Sequence, residues 1–364
     1  MNKPKALYIH IPFCKHICGY CDFMKVKYNA ELADVVLARI NADLALLQGP
    51  FKTIYFGGGT PSSLSNKQLM TLKPNLMRLK ALDCEMTMEV NPETLTQAKV
   101  ETMVELGVNR VSVGVQAIQS HLLRYLERQH SYEDVLHVLN LLRQAGITNV
   151  SFDAMYGIEN QTLADFEATL QAFVDAEVDH VSLYALTIEP NTKFARMNVQ
   201  PVDNELEGQF YELASNFLQA HGYEHYEVSA FAKNKRYSAH NLAYWHYDDF
   251  IGVGPGAASK VGNVRTTNSG NLHHYLNQTH LISEQVVLDD EDLLFEHFMM
   301  GLRLSEGIDI KALSKKLKVD VFLKHKVALQ KGIEKGWLVP EGDQLKTSTQ
   351  GRLFLHDVLL LFMP

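Results

Sequence analysis

The sequence contains no run of eighteen or more uncharged apolar residues, which excludes a membrane-spanning helix. The opening Met-Asn-Lys-Pro-Lys is followed only by a short strand-like run before His10, so no secretory signal is expected. Positive charge is not in excess. With 34 Lys and Arg against 42 Asp and Glu, the formal charge of −8 argues against a nucleic-acid coat or a constitutive membrane binder. Low-complexity linkers, collagen triplets and sustained heptads are missing, and the 46% hydrophobic content is that of a chain able to bury a core. Cysteine is scarce, four in 364 residues, too little for a disulfide scaffold. A cytoplasmic protein is expected.

Three of the four cysteines crowd into eight residues: Cys14, Cys18 and Cys21. C-x-x-x-C-x-x-C brings three thiolates round one point, which suits a soft metal centre and would leave one thiol over in any disulfide pairing. Structural zinc would need a fourth ligand, for which His10 and His16 are near in sequence. A four-iron cluster usually takes four thiolates, and with three it keeps one iron open for an exogenous ligand. Cys84 has no motif around it, alternates with Met86 and Met88, and reads as a buried inert thiol.

Hydropathy patterning predicts six strands, near Leu7 to Ile11, Thr53 to Phe56, Glu85 to Val90, Arg110 to Val115, Asn149 to Met155 and His180 to Leu186. Segments at three- and four-residue apolar spacing lie between them: Glu31 to Leu47, Lys67 to Leu79, Leu95 to Leu106, Tyr132 to Ala145 and Thr162 to Ala176. Gly107 and Gly146 mark helix ends. The fold class is therefore α/β: a parallel sheet of six βα units curled into a partial barrel, with its site at the carboxyl ends of the strands. Tyr223 to Tyr247 is aromatic and histidine-rich, and Gly252 to Ala257, lacking a Rossmann context, reads as a barrel-closing loop. From Asp290 onward helices precede a hairpin about Pro340 to Asp343, which predicts a winged-helix-like α+β tail. The division expected is residues 1–200 for the barrel, 201–288 for its extension and 289–364 for the tail.

Tyr8-Ile9-His10-Ile11-Pro12-Phe13-Cys14, followed by Cys18, Tyr20 and Cys21-Asp22-Phe23, resembles the radical SAM superfamily. Within it, the branch of oxygen-independent coproporphyrinogen III dehydrogenases and HemW-type heme chaperones is the nearest in pattern, over nearly the whole chain. The resemblance implies a 4Fe-4S cluster on Cys14, Cys18 and Cys21, with S-adenosylmethionine (SAM) on its open iron. It also implies SAM contacts from Tyr8, Tyr20, Gly58, Gly59, Thr60, Glu89, Gln116, Arg128, Asp153 and Ala185. Chemically these suit the ligand: a carboxylate for a ribose hydroxyl, an arginine for a carboxylate, an aromatic beside adenine. Taken singly, Asp153 could cap a turn, Glu89 could sit in an ion pair and Arg128 on a solvated face. All but Arg128 lie on strands or at their ends, and their joint placement carries the reading. Tyr156-Gly157-Ile158-Glu159-Asn160-Gln161-Thr162 departs from the pattern of relatives, which usually show leucine, proline and a small residue before Gln-Thr.

Two functions are compatible with that resemblance. A dehydrogenase would use a 5′-deoxyadenosyl radical to decarboxylate porphyrinogen propionates. A chaperone would keep the cluster and SAM site but bind heme and deliver it to acceptor hemoproteins. The dehydrogenases carry a cysteine two residues after the third cluster ligand, where this chain has Phe23, and a longer N-terminal arm than the thirteen residues before Cys14. His240-Asn241-Leu242-Ala243-Tyr244-Trp245 is similar to the H-N-x-x-Y-W signature of HemW-type proteins, which makes His240 the candidate heme ligand. The chaperone is the expectation. Respiratory membrane enzymes as clients, a transient membrane encounter and a homodimer accompany it. The lysine-rich tail (Lys311, Lys315, Lys316, Lys318, Lys324, Lys326) raises nucleic-acid binding, which the acidic balance of the whole chain disfavours.

Overall fold

Short runs of β-branched and aromatic residues build the centre of the molecule, described here by a computed structural model over residues 4–277 and 281–363. Six strands, β1 (Ala6–Ile11), β2 (Phe51–Gly58), β3 (Lys80–Val90), β4 (Arg110–Gln116), β5 (Asn149–Tyr156) and β6 (His180–Ala185), pair in parallel in sequence order. Between them run α1 (Ala30–Leu46), α2 (Lys73–Leu79), α3 (Gln97–Leu106), α4 (Tyr132–Gln144) and α5 (Leu163–Asp175). The helix expected from Lys67 divides into Asn66–Met70 and α2, because Pro74 fits only a first helical turn. Gly107 closes α3 at φ +91°, and capping boxes at Ser131 and Thr162 open α4 and α5.

Register fixes which side chains face the site. Tyr8 pairs with Tyr55, Glu89 with Ser112, and Asp153 with both Gly114 and Ser182, so these residues share the barrel interior. Their neighbours Leu7, Ile54, Met88, Val113, Phe152 and Val181 point outward into a dry layer under the helices. Burying such side chains contributes about 2 kcal/mol each, which holds the inner polar row in place.

The sheet extends past the barrel on both sides, to twelve strands. After α6 (Asn204–Ala220), β7 (Glu224–Glu227) and β8 (Ala230–Ala232) add antiparallel to β6, with β8 next to it. After α7 (Ala239–Trp245), β9 (Phe250–Val253) pairs parallel to β1, followed by the antiparallel β10 (Ala258–Val261), β11 (Val264–Asn268) and β12 (Ile282–Val287). Gly252 and Val253 are thus strand residues, which corrects the loop expected over Gly252 to Ala257. The glycines serve close packing: a Cβ on Gly252 would lie 2.1 Å from the Ala258 carbonyl oxygen, and one on Gly254, at φ +107°, 2.4 Å from that of His10.

The tail has its own apolar cluster, with Phe298 stacked on Phe362 at 4.2 Å, formed by α8 (Asp290–Gly301), α9 (Ile310–Leu317), α10 (Lys326–Glu334) and a three-stranded sheet. That sheet comprises β13 (Ile308–Asp309), β14 (Leu338–Glu341) and β15 (Gln344–Thr347), with β15 central, the hairpin expected of a winged-helix-like tail. Backbone bonds from Val228 to Arg303 and from Ser305 to Tyr226, both 3.0 Å, tie it to the barrel extension.

Candidate functional site

The three motif cysteines follow the carboxyl end of β1. Cys14 is buried, Cys18 and Cys21 are half-buried, and all three are free thiols. Burial pushes the Cys14 thiol up to about 11, with the neighbouring Cys21 and Cys18 adding to the effect. Binding a metal there would therefore release protons. The zinc alternative loses His10: its Nε2 is 2.8 Å from the Met24 carbonyl oxygen and its Nδ1 is 3.1 Å from the Tyr8 hydroxyl. His16 is exposed, and among the described residues no group of three or more His, Cys, Asp or Glu is arranged to hold a single ion.

The glycine run at the carboxyl end of β2 braces the cysteine loop. The Gly59 amide donates to the Ile11 carbonyl (2.9 Å) and the Thr60 amide to that of Phe13 (2.8 Å). A Cβ on Gly59 would meet the Pro12 and Phe13 backbone at 2.8–2.9 Å, and one on Gly58, at φ +107°, the His10 ring at 2.4 Å. The Thr60 hydroxyl lies 3.6 Å from Cys14 Sγ and accepts from Asn91 Nδ2 at 3.1 Å. Asn91 Oδ1 accepts from Arg128 Nη2 (2.8 Å), which also reaches the Gly114 carbonyl (2.7 Å), while Arg128 Nη1 is 3.8 Å from Cys18 Sγ. Sequence reasoning missed Asn91. Its position just past the end of β3, two residues after Glu89, was the available signal.

Further into the barrel, Glu89 accepts from the Tyr55 hydroxyl (2.8 Å) and the Gly58 amide (3.3 Å), and burial lifts its carboxyl to about 7. Asp153 accepts from Ser112 (2.8 Å) and Ser151 (3.1 Å), and burial raises it too. Gln116 stands at φ +69° beside a register shift in β4, a strained conformation of the kind found at ligand sites. Tyr20 lies edge-on to Phe194 at 6.3 Å, and Ala185 ends β6 opposite Tyr156. In the atypical loop after β5, Gln161 accepts from the Ile158 amide and donates to the Met155 carbonyl, closing the turn internally. Tyr8, Tyr55, Gly58 and Glu89 thus form one group, and Cys14, Thr60, Asn91, Arg128 and Cys18 a second that abuts it.

His240 lies beneath the first of these groups, towards the amino end of the strands. It is 1% exposed, with Nδ1 2.8 Å from the Thr53 hydroxyl, Nε2 2.8 Å from the Tyr244 hydroxyl and its ring stacked on Tyr55 at 5.0 Å. Burial holds it down at about 3, a neutral imidazole at any physiological pH. Sequence reasoning missed this use of both nitrogens, because Thr53 is 187 residues away.

The radical SAM superfamily pattern matches residues 8–173, and the HemN C-terminal domain matches residues 288–354. The heme chaperone HemW of Escherichia coli (strain K12) is 36% identical over 99% of this chain and 98% of its own length. That of Bacillus subtilis (strain 168) is 33% identical over 99% of both. The chain belongs to the HemW family of radical SAM proteins. Among solved structures, the coproporphyrinogen III oxidase (HemN) from Escherichia coli, a radical SAM enzyme, superposes with a TM-score of 0.86 over 99% of this chain and 90% of its own, at 21% identity, which establishes the shared fold.

Membership of the superfamily implies a 4Fe-4S cluster and SAM. The residues present fit both: three free thiols on one loop for the irons, and beside them the buried Arg128 Nε, which has no partner among the described residues. A cluster bound there would supply reducing power to SAM. Cys14, Cys18 and Cys21 are the residues that would hold the cluster, and Glu89, Asp153 and Arg128 are the polar groups that would face a ligand inside the barrel. No helix among the described residues is long and apolar enough to cross a membrane.

Proposed function

We propose that the chain is a heme chaperone: it binds heme, keeps a 4Fe-4S cluster on Cys14, Cys18 and Cys21, and delivers heme to acceptor hemoproteins. SAM contacts from Tyr8, Tyr20, Gly58, Gly59, Thr60, Glu89, Gln116, Arg128, Asp153 and Ala185 belong to the same reading. The observation that carries it is position 23, an exposed phenylalanine beside the cluster loop where the decarboxylating relatives carry a further cysteine. Heme contact is assigned to α7, with His240 as candidate ligand. Its neutral ring suits iron, and ligation at Nε2 requires release of the Tyr244 hydroxyl. The acceptors are respiratory membrane enzymes, met by a cytoplasmic protein, which also forms a homodimer, in a transient encounter. Support comes from the exposed Phe322, Leu323 and Val327 beside Lys324, Lys326 and Lys331.

Anaerobic mass spectrometry tests the first step. Reconstituted protein with reductant, SAM and coproporphyrinogen III is expected to yield no decarboxylated porphyrinogen, while hemin titration gives a saturable Soret band. Protoporphyrinogen over many turnovers would make the chain a dehydrogenase. A Soret band unchanged in His240→Ala would remove His240 as ligand.

A further inference from the structure

A cavity of about 380 Å³ lies at the amino end of the barrel strands, opposite the cysteine loop, where the barrel extension meets the tail. Lys5 precedes β1. Tyr247, Asp248 and Asp249 lead from α7 into β9, Lys260 is on β10, His297 is on α8 and Lys316 is on α9. A ligand held here would touch both the α7 segment and the tail.

The polar groups of this cavity are unevenly used. Lys260 is 5% exposed. Its ammonium donates to the Tyr247 carbonyl and to Asp249, both at 3.0 Å, and lies 3.9 Å from the Tyr247 ring centre. Asp249 is further occupied by the Gly262 amide, and the Tyr247 hydroxyl by Glu296. Lys316 makes no hydrogen bond or close ion pair among the described residues, although Asp248 and Asp249 act on it at longer range. With Lys5, three ammonium groups line the cavity against two carboxylates; the Lys260–Asp249 pair satisfies one of each and leaves Lys5 and Lys316 against Asp248.

His297 decides what the cavity can recognise. It is 8% exposed, and its Nδ1 lies 2.6 Å from the Leu293 carbonyl oxygen. A carbonyl only accepts, so Nδ1 carries the proton and Nε2 of the neutral ring is a bare lone pair. That Nε2 is buried without a partner, an arrangement that costs stability unless a donor arrives. Lysines alone would take any anion. An unpaired acceptor beside them favours an anion that also carries a hydroxyl or amine over one without a donor.

The geometry points to a second ligand site at this junction, for a small organic anion that carries a hydroxyl, such as a sugar phosphate. Its phosphate sits among Lys5, Lys260 and Lys316, and its hydroxyl donates to His297 Nε2. The site is independent of the heme-chaperone reading, and its occupation would fasten the α7 segment to the tail.

Calorimetry on the full chain tests it with two probes, glycerol 3-phosphate and sulfate, the latter an anion without a donor at neutral pH. Glycerol 3-phosphate is expected to bind saturably and at least tenfold more tightly than sulfate. His297→Phe should remove that preference, and Lys316→Met should weaken both probes at least fivefold. A fold-independent readout is the ¹⁵N spectrum of the wild-type imidazole, in which glycerol 3-phosphate moves the Nε2 signal and sulfate does not. Equal affinity for the two probes, or an Nε2 signal indifferent to glycerol 3-phosphate, overturns the proposal.

Discussion

Glu89 is held among Tyr55, Gly58 and the distant charge of Asp153, and it takes up a proton more readily in the folded chain than in the unfolded one. Its contribution to stability is therefore full below its ordinary value near 4.5 and is lost as the pH rises through about 7. Glu89→Gln should unfold at higher urea than the parent chain at pH 8, by on the order of 1–2 kcal/mol, and equally at pH 4. On the proposed SAM contact, the same change should weaken SAM binding at least about tenfold by equilibrium dialysis, the cost of losing a hydrogen bond to a charged group. Each of Cys14→Ser, Cys18→Ser and Cys21→Ser should abolish the brown absorbance of reconstituted protein. Retention of a full four-iron signal in all three would refute the cluster assignment.

At the scale of elements, the glycine-rich end of β2 is the part least tolerant of change. In Gly58→Ala a Cβ would stand 2.4 Å from the His10 ring at a φ of +107°. Both effects are unfavourable, so a loss of about 2–4 kcal/mol is expected in urea unfolding, together with poor cluster retention. Helix α7 is the other such element. The Glu85 carboxylate accepts from the amides of Ala239 and His240, and the His240 ring seats against Tyr55, so α7 forms the floor beneath the inner polar row. These contacts explain why a helix of seven residues is held in place.

At the scale of the whole molecule, Arg303 joins tail to barrel. Its guanidinium lies 4.3 Å from the Trp245 ring centre and 3.6 Å from Glu227, a carboxylate 2% exposed. Arg303→Met should leave that carboxylate buried and unpaired, at a cost of about 3 kcal/mol. Hydrogen exchange should then rise at Val228 and Ser305, whose amides cross the junction. Unchanged protection there would show that the apolar contacts alone hold the tail.

Much of this was legible along the chain because it is local. Six strand runs, their helices, the Gly107 stop and the C-x-x-x-C-x-x-C loop depend on periodicity, φ preference and spacing, all short-range properties. The loop expected over Gly252 to Ala257 is confined to residues 254–257, because Gly252 and Val253 are strand residues only by virtue of β1, some 240 residues earlier. His240 illustrates the same limit. Its signature is written in six consecutive residues, but whether its nitrogens are open depends on Thr53 and on a tyrosine one turn onward. The sequence by itself determined the repeating α/β architecture and the three thiols for a soft metal. Only the tertiary structure decided which polar residues share the barrel interior, that His10 is committed to the backbone, and that His297 faces a lysine-lined cavity, because burial and hydrogen-bond partners are set by contacts between segments far apart in the chain.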